Sequence, residues 1–237
     1  RIFINGPTGS GKELIARKIH KESKRQKGPF VILNGALLDI EKYELELFGE
    51  EKDNGTINYG ALEKSSGGIL LIDEISEIPL DTQSKILRVL IDQKFKRINS
   101  NHFVNVDVRI ICSTSKNIKK EIENGNFRED LYHRLNVFEI NIDPLKNRVS
   151  DIPLLVEYFA EKISTNYKLK KLNIDTDNNY LLNYDWPGNV RELRNLIERI
   201  AILTPESSDK ISNIIKESLK TPDIKSVPLE NSLSIPL

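Results

Sequence analysis

The sequence has no methionine, one cysteine and one tryptophan, and its acidic and basic residues cancel. Each scarcity excludes something. Cys112 alone cannot form an internal disulfide, so the fold is expected to rest on packing, with Cys112 a small buried residue in a reducing compartment. His20, His102 and His133 lie far apart and show no metal-ligand spacing. Lysine plus arginine number 35, as do aspartate plus glutamate. No global field therefore draws nucleic acid, an anionic membrane or an acidic substrate, and any nucleic-acid contact must be local or lie elsewhere. No stretch approaches the roughly 18 apolar residues of a membrane span, and no leader-like segment opens the chain. A soluble, cytoplasmic protein with no membrane partner is expected. The chain begins Arg1-Ile2-Phe3-Ile4, already inside an apolar run, so it is expected to be a piece of something longer.

Short apolar runs bounded by turn residues recur at Ile2–Ile4, Phe30–Leu33, Ile69–Ile72, Val108–Cys112 and Val137–Ile142. Helical patterns separate most of them, which predicts an α/β fold with a five-stranded parallel sheet flanked by crossover helices. Gln83, Ile86, Leu87 and Leu90 mark one helix face, and Leu14, Ile15 and Ile19 a weaker one. After Pro144 the strand pattern stops. Ile152, Leu155, Val156, Phe159 and Ile163 then repeat at helical spacing behind Ser150, an expected N-cap, with Pro153 in the first turn. Further helices are expected over Asp177–Asn183 and Asn189–Leu203. The chain thus divides into an α/β subdomain over 1–144, a small helical lid over 145–203 and a polar linker over 204–237. The linker carries Pro205, Pro222, Pro228 and Pro236 and one weak helical stretch near Ile211–Leu219.

The first apolar run leads into Gly6-Pro7-Thr8-Gly9-Ser10-Gly11-Lys12, which matches G-x-x-x-x-G-K and is followed at once by a helical pattern. That is the context of a P-loop. The glycines let successive N–H groups curl into one nest at a helix N-terminus, and Lys12 reaches the β- and γ-phosphates, so ATP with Mg²⁺ is the expected cofactor. The position after the lysine, which ordinarily supplies a metal-binding hydroxyl, is Glu13. Asp73, ending the run Ile69-Leu70-Leu71-Ile72, is placed to hold Mg²⁺ directly or through water. Glu74 beside it is placed to orient the attacking water.

Three segments carry a resemblance: Gly67-Gly68-Ile69-Leu70-Leu71-Ile72-Asp73-Glu74, then Phe127-Arg128-Glu129-Asp130-Leu131-Tyr132-His133-Arg134-Leu135, then Trp186-Pro187-Gly188-Asn189-Val190-Arg191-Glu192-Leu193. In this order they resemble the AAA+ domain of bacterial enhancer-binding proteins, the sigma-54 activator family, over nearly all of residues 1–203. In that family a Glu at the position of Glu13 is usual. The resemblance implies that Arg128 and Arg134 face a neighbouring copy's ATP, at least one of them as an arginine finger. It implies that Arg191 is the lid's sensor 2 arginine, that Asn34 pairs with Glu74, and that Thr114 is the sensor 1 threonine, with Ser115 where an asparagine is usual. It implies further that part of the adenine contact comes from a segment before the first strand.

The family's Gly-Ala-Phe-Thr-Gly-Ala loop, which touches the sigma factor, should follow Leu47-Phe48-Gly49. In its place stands the polar stretch Glu50–Tyr59, with Ile57 and Tyr59 its only large apolar residues. This departure argues against sigma-54 remodelling. Together with Lys85–Gln93 and Val104–Arg109, it makes the chain similar to NtrX-type response regulators. That likeness implies a homo-oligomer with ATP at subunit interfaces. It also implies DNA binding through a C-terminal domain and a sensor histidine kinase acting through a receiver domain, neither domain lying in this chain. Two alternatives stay open: a working sigma-54 activator ATPase, and a nucleotide-binding oligomerisation module without turnover. A chaperone-like remodeller fits the three segments less well.

Overall fold

The computed structural model describes residues 1–39, 42–169, 172–204 and 211–219. Pro205, Pro222, Pro228 and Pro236, and most of the stretch read as a linker, lie outside them. The strands are β1 (Ile2–Asn5), β2 (Phe30–Asn34), β3 (Gly49–Glu51), β4 (Ile57–Tyr59), β5 (Ile69–Asp73), β6 (Lys94–Lys96), β7 (Phe103–Asn105), β8 (Arg109–Thr114) and β9 (Glu139–Asn141). The helices are α1 (Lys12–Glu22), α2 (Tyr43–Phe48), α3 (Ala61–Lys64), α4 (Leu80–Asp92), α5 (Ile118–Glu123), α6 (Glu129–Leu135), α7 (Asp151–Tyr167), α8 (Asn179–Leu182), α9 (Asn189–Leu203) and α10 (Ile211–Ser218). Two compact units form, one of Arg1–Arg148 with Trp186–Glu192, the other of Val149–Asp185 with the described residues from Leu193 on.

The first unit is built on a five-stranded parallel sheet in the order β2-β5-β8-β1-β9. Inner strands of such a sheet are covered on both faces and therefore read as unbroken apolar runs rather than alternating ones. Ile69, Leu70, Leu71 and Ile72 are all fully buried for this reason. Successive side chains divide between the faces. Leu70 and Ile72 join Phe3, Ile110 and Cys112 in one core with Ile86, Val89 and Leu90 of α4 and Leu131 and Leu135 of α6. Ile69 and Leu71 join Ile2, Ile4, Ile111 and Ala16 of α1 in the other. Cys112 is fully buried, and burial pushes its thiol pKa up, which suits an inert packing residue.

The last expected strand is shorter than its apolar run. β9 begins only at Glu139, and Val137 and Phe138 ahead of it are exposed, because Val137 N–H still closes onto Leu135 O at the end of α6. Two antiparallel hairpins, β3–β4 and β6–β7, were not apparent from apolar runs. Gly49 makes the first possible: its φ is +74°, and a Cβ there would lie 2.3 Å from Asn58 O.

In the second unit, α7 buries Ile152, Val156 and Ile163 of the expected face, with Leu155 and Phe159 half-buried and Ala160 buried as well. Ser150 does not act as its N-cap: the residue is itself helical (φ −58°, ψ −21°) and makes no capping bond, since Ile152 N–H already closes onto Val149 O. The expected helix over Asp177–Asn183 is a single turn, α8, capped by Asn178 Oδ1 on Tyr180 N–H. α10 lies within the stretch read as linker and buries Ile211 and Ile215. Among the described residues no helix is long and apolar enough to cross a membrane.

Candidate functional site

The P-loop spans from the end of β1 to the start of α1, and its shape is set by glycines and by hydrogen bonds to its carbonyls. Gly9 and Gly11 have φ of +77° and +106°, where a side chain is strained. A Cβ on Gly9 would also lie 2.3 Å from Gly188 O. Asn189 Nδ2 donates to Thr8 O at 3.0 Å, Arg191 N–H to Gly9 O at 3.2 Å and an Arg148 guanidinium nitrogen to Ser10 O at 3.0 Å. Ser10 N–H closes onto Pro7 O at 3.2 Å. In a trans peptide the N–H points opposite its C=O, so drawing the Thr8 and Ser10 carbonyls to one side turns the Gly9 and Gly11 N–H groups to the other. Those groups, with the unpaired N–H groups that open α1, form a nest for anions. Asn189 and Arg148 support the loop from well over a hundred residues away; the sequence places Asn189 in the third resembling segment without a role and gives Arg148 no local mark.

Lys12 opens α1 with only 7 % of its side chain exposed. Its Nζ donates to Gly6 O at 2.9 Å and lies 3.1 Å from Glu74 Oε1. The other Glu74 oxygen, Oε2, accepts from Ser115 N–H at 2.7 Å and from Ser115 Oγ at 2.9 Å. Burial opposes charge on Glu74, but the Ser115 bonds and Lys12 outweigh it and hold the carboxyl below the usual carboxylate range. Glu74 sits in the left-handed region (φ 52°, ψ 53°), a conformation a non-glycine residue adopts only under constraint. Gly35 leaves the room it needs, as a Cβ there would lie 2.5 Å from Glu74 O.

Asp73 Oδ1 accepts a hydrogen bond from Ser113 Oγ. Thr114, the last residue of β8, is fully buried. Its hydroxyl meets Ser76 Oγ at 2.8 Å and accepts Lys116 N–H at 3.1 Å, and its carbonyl accepts Gly6 N–H at 3.2 Å. Asn34 lies opposite Asp73 in the β2–β5 register, but its Oδ1 caps the turn at Gly35–Leu37 by accepting Ala36 N–H at 3.0 Å. Among the described residues no hydrogen bond joins Asn34 to Glu74, so the pairing the resemblance implies is not made here, and Ser115 holds the carboxylate. Glu13 is exposed and pairs with Arg17 at 2.7 Å. Arg191 is exposed and joins the site through its backbone N–H.

The remaining two arginines stand apart from this cluster. Arg128 is exposed at the start of α6, held bidentately by Asp130 at 2.6 and 3.0 Å, and its N–H donates to Gln83 Oε1 at 2.9 Å. Arg134 is exposed in the last turn of α6, and its carbonyl accepts from Arg1 at 3.4 Å. Among the described residues no hydrogen bond or ion pair links either side chain to Lys12, Asp73 or Glu74 of the same chain.

The groups present suit ATP and Mg²⁺. Ser10 Oγ is buried beside the nest without a hydrogen-bond partner, a polar atom that a phosphate oxygen or a metal-bound water would satisfy. Among the described residues no cluster of three or more His, Cys, Asp or Glu could hold a metal alone. Asp73 would thus supply one ligand, with water and phosphate oxygens completing the shell, as is usual for Mg²⁺.

Fold and site together define a P-loop nucleotide-binding module of the AAA+ class. The chain belongs to the sigma-54 interaction domain family, whose model matches residues 1–141, and an AAA+ ATPase lid domain matches residues 146–227. It is 48 % identical over 226 residues to the nitrogen assimilation regulatory protein NtrX of Azorhizobium caulinodans, covering 94 % of this chain and 49 % of that protein. It is 43 % identical to the regulatory protein AtoC of Escherichia coli, covering 85 % of this chain and 45 % of that protein. The crystal structure of NtrX from Brucella abortus in complex with ATP superposes with a TM-score of 0.87 at 45 % identity, covering 93 % of this chain and 50 % of that one. The chain spans about half the length of the curated relatives it matches.

Proposed function

We propose that the chain is the ATP-binding and ATP-hydrolysing AAA+ module of a cytoplasmic two-component response regulator of the NtrX type. The observation that carries this reading is the Lys12–Glu74–Ser115 cluster beside the P-loop nest. Bound ATP and Mg²⁺ supply the scissile phosphoanhydride and a Lewis acid for its charge. The chain's own residues do the rest. The P-loop N–H groups and Lys12 bind phosphate oxygens, Asp73 holds the metal, and Ser115 keeps Glu74 ionised to orient a water. Thr114 ties the end of β8 to the P-loop as sensor 1, and Arg191 reports from the start of α9 as sensor 2. Arg128 and Arg134, remote from their own chain's cluster, act on the nucleotide of a second copy, so the homo-oligomer is the working unit.

The similarity to a nitrogen assimilation regulatory protein and to the regulatory protein AtoC supports the regulatory context. A receiver domain answering a sensor histidine kinase and a C-terminal DNA-binding domain belong to the parent protein. The hairpin β3–β4 stands where a sigma-54-contacting loop is expected. Its turn closes by Lys52 N–H onto Thr56 O at 2.9 Å, and its tip, Asp53-Asn54-Gly55, is polar and exposed. Inserting such residues into an apolar target leaves their desolvation uncompensated, so the module is assigned to oligomerisation and DNA-bound regulation rather than to sigma-54 remodelling. Transcription with sigma-54 holoenzyme and the full-length parent tests this: ATP-dependent open-complex formation would restore the activator reading.

One observation favours the second reading, an oligomerisation module without turnover: both Glu74 oxygens are engaged, by Lys12 and by Ser115. Glu74→Gln separates the two. It abolishes turnover and spares nucleotide affinity if the module is an enzyme, and changes neither if the parent never turns ATP over.

A further inference from the structure

With no net charge on the chain, any surface for nucleic acid has to be local. The β6–β7 hairpin provides such a place. In its register Lys94 faces Asn105, Phe95 faces Val104 and Lys96 faces Phe103. Side chains alternate along a strand, so Lys94, Lys96, Phe103 and Asn105 share one face of the ribbon and Phe95 and Val104 the other. The second face is anchored: Phe95 is buried and its ring lies 5.6 Å from that of Phe48. The first is open. Phe103 is 61 % exposed, with Lys94 Nζ and Lys96 Nζ 5.1 and 5.0 Å from its ring centroid.

Beside this face opens a cavity of about 450 Å³ lined by five lysines and arginines against two acids, Glu44 and Asp92. Two of the cations are already committed: Lys85 pairs with Glu44 at 2.5 Å, and Arg97 clasps Glu63 at 2.6 and 2.8 Å. Arg88, Lys94 and Lys96 make no ion pair among the described residues and are exposed. An exposed aromatic ring with two ammonium groups about 5 Å from its centroid, next to a third uncommitted cation, matches the alternation of flat base and phosphate along an unpaired strand. An acidic peptide would satisfy the cations but leave Phe103 in water. A duplex would offer phosphates while keeping its bases stacked on one another.

We infer that this ribbon face binds a single strand of nucleic acid, with a base on the Phe103 ring and backbone phosphates on Lys94, Lys96 and Arg88. The site is separate from the P-loop and needs no nucleotide there.

The test is fluorescence anisotropy of a labelled oligothymidine of about 20 nucleotides, long enough to cover one such face, titrated with the whole chain. With three phosphate contacts, log affinity should fall against log salt with a slope of about −2. Lys94→Gln with Lys96→Gln should remove roughly two-thirds of that slope. Phe103→Ala should weaken binding about tenfold at fixed salt and leave the slope unchanged, and Phe103→Tyr should restore it, since only stacking is altered. Circular dichroism of each variant should match the parent, and saturating ADP should leave strand binding unchanged. The inference is overturned by any of four results: no binding at about 50 mM salt, tighter binding of a duplex of the same length, equal binding of polyglutamate, or full binding by Phe103→Ala.

Discussion

Lys12 Nζ lies 3.1 Å from Glu74 Oε1, with 7 % and 14 % of the two side chains exposed, so the P-loop cation and the carboxylate next to Asp73 are each other's nearest charged partner. Charges this well shielded from water interact strongly and resist separation. Two of the three Lys12 N–H groups are held by Gly6 O and Glu74, and the third, at 3.5 Å from Pro7 O, can turn to a phosphate oxygen while Ser115 holds the other Glu74 oxygen.

Lys12→Ala removes the cation and should weaken ADP and ATP binding at least about tenfold, on the order of 1.4 kcal/mol. Equilibrium titration with a fluorescent ADP analogue measures it. An affinity equal to the parent's would end the P-loop assignment.

Ser115→Ala deletes one of the bonds to Glu74 Oε2 and should lower stability at neutral pH by roughly 1.5 kcal/mol, the usual worth of a hydrogen bond to a charged group. The folded-state pKa of Glu74 is depressed from an ordinary 4.5. Its ionised form therefore stabilises the fold above that value, and the contribution is lost as pH falls through the depressed folded value. Urea unfolding from pH 7 downward should show the parent–variant gap closing in acid. A gap that stays constant into acid would show that Ser115 does not act through the carboxylate.

Gln83 is fully buried in α4, and its amide donates to Ile78 O at 2.8 Å and Asn126 O at 3.0 Å while accepting Arg128 N–H at 2.9 Å. Gln83→Leu strands three backbone groups, which should cost about 3 kcal/mol or more. It should also loosen the start of α6, so that turnover falls while nucleotide affinity holds. Unfolding and titration on the same variant check both, and unaltered stability would contradict the burial argument.

Asn189 accepts Leu145 N–H at 2.8 Å and donates to Thr8 O at 3.0 Å from a left-handed backbone (φ 53°). Asn189→Ala should destabilise the fold by roughly 2 kcal/mol through the orphaned Leu145 N–H, and should weaken nucleotide binding by releasing the Thr8 carbonyl. Thermal unfolding with and without ADP separates the two effects. Loss of stability with an unchanged ADP-induced shift would leave Asn189 a purely structural residue.

The sheet was legible because Ile69–Ile72 and its neighbours are buried on both faces, and only unbroken apolar runs tolerate that. The hairpins were not, because three-residue strands such as Lys94-Phe95-Lys96 put charge on one face and one apolar residue on the other, too short a pattern to stand out. At the site, the glycines and Lys12 announce themselves through spacing. The partner of Glu74 does not. β5 has β2 on one side and β8 on the other, so Asn34 and Ser115 both end beside it, and only the left-handed turn at Glu74 commits the carboxylate to Ser115. Asn189 and Arg148 reach the P-loop across most of the chain's length, a relation that no local pattern encodes.

The most direct test is ATP hydrolysis per chain at saturating Mg²⁺ and ATP, measured across a range of protein concentrations for the parent and for Glu74→Gln. If Glu74 orients water and Arg128 or Arg134 acts on a second copy's nucleotide, the parent's rate per chain rises with concentration. Glu74→Gln then binds ATP as the parent does and turns it over at least about a hundredfold more slowly, within the usual worth of a general base. A parent rate that is independent of concentration, or one that Glu74→Gln leaves intact, would contradict the account.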